Sequence, residues 1–244
     1  MKHLIPLVLG LLLAAPATAA EPLSLQALLA KVDDAGRSTS SSSTITMHVK
    51  TKRYERSVTM QNWTEGTERS LIRIVEPAKD RGVTMLKVDD NLWNFLPNTG
   101  RTMKVPGAMM SGAWMGSHLT NDDLVRETRF SDDYTCVLVA AQAAENVQID
   151  CTPKPDAPVP WGKVSLTVLP DGVPVEQAFF DEDGELVRTL SFDDVQTVGT
   201  QRVAMTMTVT PHDKPGEFTK FVYEKLELDV PVDPGMFSLQ ALGK

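Results

Sequence analysis

Apolar and polar positions alternate along most of the chain. Within residues 44–51, Ile45, Met47 and Val49 fall on one face and threonine or histidine side chains on the other, which predicts a half-buried β-strand. Similar segments recur almost to the C-terminus, and turn residues such as the Asp-Gly pairs at 171–172 and 183–184 separate them. Because no strand-helix-strand rhythm exists, the pattern predicts an antiparallel meander rather than a parallel sheet.

The number of strand segments predicts how the sheet closes. We expect about eleven strands, and a single sheet of that size has to curl or split. Curling would give a mainly β fold, an incomplete antiparallel β-barrel or half-barrel, with a few covering helices. Leucines at helical spacing predict one helix over residues 24–35, which ends at Gly36. The serine and threonine residues at 38–43 are expected to form a loop that leads into the sheet, and the C-terminal residues from 233 onward a short helix or a docked tail.

The N-terminus has the pattern of a secretory signal peptide. Lys2 precedes an apolar run from Leu4 to Ala15, and small residues follow at 17–20. The apolar run is shorter than the roughly 20 residues that a membrane-spanning helix needs. We therefore expect residues 1–20 to be removed and residues 21–244 to form one domain in the periplasm. The net charge of −8 argues against nucleic acid and anionic membranes as main partners, and we expect a monomer.

Two cysteines, Cys136 and Cys151, lie in neighbouring strand segments. A turn near residues 143–146 would make these segments a hairpin and bring the thiols opposite each other. An even cysteine count in an oxidising compartment favours a disulfide. A zinc site or a redox pair is the alternative, but no histidine lies nearby and the spacing is not that of a Cys-x-x-Cys motif.

Residues 106–127 interrupt the strand pattern with a segment rich in methionine and glycine. Thr120 and the acidic residues after it predict the start of a short helix. The apolar residues before it have no strand partner, and an apolar loop is expected to cover the open side of a curled sheet. Such a segment could simply fill the core, or it could be a movable lid over a ligand.

We find no catalytic motif, so the sequence predicts a protein that is not an enzyme and needs no cofactor. The paired aspartates are explained by turns and helix starts. A periplasmic Cu(I)-binding protein is an alternative, because thioether and imidazole groups suit that ion. Its ligands would come from Met109, Met110, Met115 and His118.

Three segments carry a resemblance to a known family. They are Gly-Val-Thr-Met-Leu at 82–86, Asn-Leu-Trp-Asn-Phe-Leu-Pro-Asn-Thr-Gly-Arg at 91–101, and Trp-Met-Gly-Ser-His-Leu-Thr-Asn-Asp-Asp-Leu at 114–124. Together they resemble the outer-membrane lipoprotein-sorting protein family, the LolA-like group, most specifically over residues 68–126. His118 is a departure, since the family usually has aspartate there, which puts any role of that carboxylate in doubt.

The resemblance implies an incomplete barrel closed by helices, with a cavity that takes acyl chains. It also implies, as for several members, a partnership with an RND-type exporter. A carrier is physically reasonable because a bare 16-carbon chain in water costs roughly 12 kcal/mol. A lipid-sensing or adaptor module that docks on an envelope complex is the alternative with the same cavity. From strand alternation we predict a cavity wall of Met47, Met60, Leu71, Met85, Trp93, Phe95 and Met103, with Met109, Met110, Trp114 and Met115 as the lid.

Overall fold

The computed structural model describes residues 24–126, 129–142 and 146–243, so the predicted signal peptide lies outside the described residues. The helices are α1 (Leu25–Asp34), α2 (Asn121–Val125) and α3 (Phe130–Asp133). The strands are β1 (Ser40–Lys50), β2 (Glu55–Glu65), β3 (Arg69–Glu76), β4 (Thr84–Val88), β5 (Asn91–Leu96), β6 (Arg101–Lys104), β7 (Tyr134–Gln142), β8 (Asn146–Pro153), β9 (Lys163–Val168), β10 (Pro174–Phe180), β11 (Leu186–Val198), β12 (Gln201–Pro211) and β13 (Phe218–Leu228).

All thirteen strands belong to one antiparallel sheet. Its order is β6-β5-β4-β3-β2-β1-β13-β12-β11-β10-β9-β8-β7, so β1 and β13 join the two halves of the chain. The edge strands β6 and β7 do not pair within the described residues, which leaves the barrel open and confirms the predicted fold class. The sheet has thirteen strands, two more than the expected eleven.

Strand β1 begins earlier than predicted, at Ser40 rather than residue 44. Its burial alternates throughout, so Ser41 and Ser43 are buried on the same face as Ile45. A run of serines has no hydrophobic alternation, and the sequence therefore predicted a loop where the sheet in fact continues. Pairing with β2 and β13 on both sides supplies the hydrogen bonds that local sequence preference does not reveal.

The two faces of the sheet carry separate hydrophobic clusters. The main cluster combines residues of both halves of the sheet with residues of all three helices, and we call its face the inner face. The second cluster consists of Leu71 and Leu86 of the sheet with Phe237 and Leu242 of the C-terminal segment. The C-terminal segment is therefore a tail docked on the outer face of β3 and β4, as the sequence predicted.

Two contacts fix the second half of the sheet. Asp33 of α1 accepts hydrogen bonds from the backbone N–H of Phe130 (2.7 Å) and Ser131 (3.0 Å) and from the Ser131 hydroxyl (2.6 Å). These bonds hold residues 130–133 as a helical turn that leads directly into β7. The predicted disulfide is present and joins Cys136 and Cys151, which face each other directly in the β7–β8 register.

Candidate functional site

A cavity of about 520 Å³ lies on the inner face of the sheet. Nine strands of both halves of the sheet contribute to its wall, and residues of the segment 114–124 close it on one side. Its volume falls within the ~300–1,000 Å³ typical of small-molecule sites. The apolar residues that line it include Ile45, Met60, Ile72, Met85, Leu92, Trp114, Leu119, Leu124, Phe192, Val203, Met207, Phe221, Tyr223, Leu226 and Leu228.

Several lining residues are apolar and yet only partly buried. Ile72, Phe192, Met207 and Tyr223 pack against the main cluster and line the cavity. A well-packed interior normally leaves few voids larger than a water molecule. Part of the apolar surface of these side chains therefore faces open space, which a hydrophobic ligand could cover. Burial raises the pKa of Tyr223, so its phenol is neutral.

Trp114 forms the roof of the cavity and is only 3% exposed. Its indole Nε1–H donates to the sulfur of Met85 at 2.8 Å, and its ring stacks on Phe221 with centroids 6.2 Å apart. Both partners also line the cavity. The indole therefore bridges strands β4 and β13, and a ligand beneath it would touch all three side chains.

The chain around Trp114 is tied to the β1–β2 end of the sheet. The hydroxyl of Tyr54 donates to the carbonyl of Gly116 at 2.6 Å, and the guanidinium of Arg56 donates to the carbonyl of Met115 at 2.8 Å. Gly116 has a positive φ of 70°, and a Cβ there would lie 2.6 Å from the Tyr54 hydroxyl. Only glycine fits this position, so the glycine of the Trp-Met-Gly sequence has a structural role.

His118 anchors the same segment to the β12–β13 connection. Its Nδ1 lies 2.8 Å from the hydroxyl of Thr219, and its Nε2 lies 3.1 Å from a carboxylate oxygen of Glu217. The pKa of Glu217 is lowered, first by the backbone N–H of Lys52 and then by His118. Both ring nitrogens thus have protein partners, and a Cu(I) ion could bind only by displacing one of them. Among the residues that the structure describes, no group of three or more His, Cys, Asp or Glu side chains could hold a metal.

Helix α2 is held against the sheet by a buried ion pair. Thr120 and Asp123 form the predicted N-terminal cap as a capping box. Asp123 also receives two hydrogen bonds from Arg188 of β11, at 2.9 and 2.7 Å. Burial raises the pKa of Asp123, but the hydrogen bonds and charge of Arg188 outweigh burial and lower it. The Arg188 guanidinium lies 4.7 Å from the ring of Trp161 and 4.8 Å from that of Phe179.

The structure brings only part of the predicted site together. Met60, Met85 and Trp114 line the cavity. Met47 is fully buried in the main cluster without lining it. The predicted lid residues that pack partly buried against the main cluster are Met110 and Met115.

Five other predicted residues lie elsewhere, and the prediction is corrected for them. Leu71, Trp93 and Phe95 belong to the cluster on the outer face. Met103 is 48% exposed and Met109 is 61% exposed. In β3 and β5 the prediction chose the wrong face, since a shift of one residue reverses every side chain of a strand.

Sequence reasoning missed the part of the wall that β11–β13 form, and in β3 and β5 it missed residues one position away from those it chose. Ile72 faces the cavity beside Leu71, and Leu92 faces it beside Trp93. On β1, Ser43 lines the cavity two residues before Ile45. The signal for Ser43 was present, because extending the alternation of Ile45 and Met47 toward the N-terminus places it on the inner face.

Comparison with known proteins supports the fold. A family model described as uncharacterized-protein-like matches residues 66–244. A DUF1329 family protein from Desulfovibrio piger has a TM-score of 0.78 at 20% identity, covering 91% of this chain and 100% of that one. A domain from Vibrio parahaemolyticus described as an outer membrane lipoprotein-sorting protein has a TM-score of 0.75 at 19% identity, covering 88% and 97%. A LolA superfamily protein from Nitrosomonas europaea has a TM-score of 0.70 at 21% identity, also covering 88% and 97%.

The comparison with curated proteins found no match. In the described part of the chain, no helix has the length and apolar character needed to cross a bilayer. The chain belongs to the family of uncharacterized proteins whose model spans residues 66–244, and its fold is that of the LolA-like lipoprotein-sorting proteins, as its sequence resemblance predicted.

Proposed function

We propose that this protein is a non-catalytic carrier that holds one acylated or similarly hydrophobic molecule in its inner-face cavity within the periplasm. The observation that carries the proposal is the cavity itself, whose wall is largely apolar and includes side chains that protein atoms cover only in part, such as Ile72 and Met207. An acyl chain placed there would remove its own surface and that of the wall from water. Each buried CH₂ group contributes about 0.8 kcal/mol to such transfer.

The sequence supports the periplasm as the compartment of this carrier. Residues 1–20 have the pattern of a signal peptide for export, and the disulfide between Cys136 and Cys151 suits an oxidising compartment. A water-filled periplasm is also where a hydrocarbon chain needs a carrier. The exporter implied by the family resemblance, of the RND type, is part of the proposal as the donor of cargo.

The direct test is to find the cargo. Protein purified from the periplasm without detergent should yield an acylated lipid on organic extraction, detected by mass spectrometry in an amount comparable to the protein. Delipidated protein should take up a fluorescent fatty acid saturably, with one site per chain. If neither a lipid nor saturable uptake is found, the carrier proposal is wrong.

A matched pair of substitutions places the binding in the cavity. Met207 lines the cavity, whereas Met103 is 48% exposed and does not line it. Met207→Asp puts a charge into the apolar chamber and should reduce uptake at least tenfold. Met103→Asp makes the same chemical change outside the cavity and should leave uptake unchanged. Thermal unfolding of both variants checks that they remain folded, and equal uptake by the two would contradict the site.

A further inference from the structure

Over strands β1–β4 the wall of the cavity changes from apolar to polar along the strands, whereas Leu226 and Leu228 of β13 keep the wall beside β1 apolar. On the inner face of β1, Ser41 and Ser43 precede Ile45. Because the strands are in register, their side chains form cross-strand rows. Three such rows line the cavity. The polar row consists of Ser41, Thr64, Ser70 and Lys87, and the next row, which is mixed, consists of Ser43, Asn62, Ile72 and Met85. The third row is apolar and starts with Ile45 and Met60. We call the side of the cavity with the polar row its polar end.

One hydroxyl in this wall lacks a partner. Ser41 and Thr64 satisfy each other, with their hydroxyl oxygens 2.7 Å apart. The hydroxyl of Ser43, in contrast, is buried and has no hydrogen-bond partner among the described residues. An unsatisfied hydroxyl beside a cavity is a candidate partner for a polar group of a bound molecule.

Three cationic residues line the cavity. Lys87 closes the polar row, Arg37 lies in the connection between α1 and β1, and Arg202 lies near the start of β12. The fourth charged residue that lines the cavity, Asp123, is already neutralised by Arg188.

Carboxylates lie near each of these cations: Glu68, Asp89 and Asp90 act on Lys87, and Asp33 and Asp34 act on Arg37. Asp171 is paired with Arg202 at 2.5 Å, at the surface. Lys87 donates to the carbonyl of Thr67 at 2.6 Å, which uses one of its three donors. Burial lowers the pKa of Lys87, and the negative charges of Asp90 and others nearby oppose this effect. A buried ammonium group gains most from a second, anionic partner.

From this gradient we infer that the cargo is an amphiphile with an anionic head group. The head group, a carboxylate or a phosphate, lies at the polar end among Lys87, Arg202 and the hydroxyl of Ser43. The hydrocarbon tail extends along the strands toward Trp114. This inference rests on the proposed carrier function and specifies its substrate class.

Displacement of a neutral apolar probe, N-phenyl-1-naphthylamine, by palmitoyl compounds that differ only in head group tests the inference. Palmitate carries a carboxylate, lyso-phosphatidylglycerol carries a phosphate, and 1-palmitoylglycerol is neutral. At least one anionic compound should displace the probe at a tenfold lower concentration than 1-palmitoylglycerol. Which of the two does so identifies the head group. High salt should weaken the preference because it screens the charges.

Substitution of the lysine separates head-group recognition from tail binding. Lys87→Met should weaken binding of the preferred anionic compound about tenfold, the effect of losing one charge-assisted hydrogen bond, and leave 1-palmitoylglycerol unchanged. Lys225→Met is the matched control, since Lys225 is exposed and does not line the cavity. It should change neither.

The outcomes distinguish this inference from the carrier proposal. Equal affinity for the anionic and neutral palmitoyl compounds would overturn the head-group inference and leave the carrier proposal intact. An equal loss of both in Lys87→Met would also overturn it. Failure of every palmitoyl compound to displace the probe, together with lipid-free protein from the periplasm, would overturn both.

Discussion

Replacing Arg188 with methionine removes the positive partner of Asp123 and keeps much of the side-chain volume. The two side chains are only 11% and 22% exposed, so the carboxylate would be left largely buried without its counter-ion. Breaking a buried ion pair by removing one partner costs about 3–5 kcal/mol. Partial exposure favours the lower part of this range, and loss of the contacts with two aromatic rings adds about 0.5–1 kcal/mol. We expect a loss of about 3–4 kcal/mol in the free energy of unfolding.

Chemical denaturation and thermal unfolding measure this loss. A loss of about 3 kcal/mol corresponds to a fall of roughly 6–12 °C in Tm for a domain of this size. The control is Arg69→Met, because Arg69 pairs with Glu65 at 2.7 Å, the same distance, but with side chains 44% and 34% exposed. Such exposed pairs contribute about 0–1 kcal/mol. If Arg188→Met costs no more than Arg69→Met, the buried pair does not hold helix α2 in place.

The loss of unfolding free energy in Arg188→Met should depend on pH in a predictable direction. The pKa of Asp123 is lowered in the folded protein from an ordinary value of 3.8. Its pairing with Arg188 therefore stabilises the fold fully above that ordinary value, and the contribution is lost as the pH falls through the lowered one. The difference between wild type and Arg188→Met should be largest near neutral pH and shrink in acid. A difference that grows in acid would contradict the argument.

Three further predictions concern stability. Replacing Cys136 and Cys151 with serine should lower the free energy of unfolding by about 3 kcal/mol in urea denaturation, since the disulfide closes a loop with a sequence separation of 15. Titration of the unfolded, non-reduced wild type should find no free thiol. The pKa of Glu217 is lowered from its ordinary value of 4.5, so this carboxylate stabilises the fold above that pH and loses its contribution in acid. Glu217→Gln should therefore make the free energy of unfolding fall less steeply as the pH is lowered. A steeper fall would refute this prediction. Asp33→Ala removes three hydrogen bonds to the start of α3 and should cost about 3 kcal/mol in thermal or chemical unfolding, whereas Asp34→Ala should change stability by less than about 0.5 kcal/mol.

Local pattern was sufficient where hydrophobic alternation was strong. Ile45, Met47 and Val49 predicted both a strand and its buried face. Thr120 predicted a helix start because the capping box is a local interaction. The pairing of Cys136 and Cys151 followed because a hairpin fixes which residues face each other.

Tertiary contacts decided what local pattern could not. Trp93 and Phe95 lie on the outer face because the C-terminal segment covers them there, and nothing within β5 records this. Phe130 begins a helical turn because Asp33, almost a hundred residues earlier, accepts its N–H. The site was therefore predictable as an apolar chamber under Trp114, whereas the inward residues of each strand depended on contacts between distant segments.

The inner-face side chains of strand β1 are small near its N-terminus and larger toward its C-terminus. Its inner-face residues are serine at 41 and 43 and then isoleucine, methionine and valine at 45, 47 and 49. Strand β1 lies between β2 and β13, where the two halves of the chain meet. Larger side chains at residues 41 and 43 would therefore narrow the cavity. Related chains with leucine in place of these serines would accommodate shorter molecules. Two substitutions in β1 can thus change the length of the molecule that the cavity holds, while the surrounding sheet stays the same.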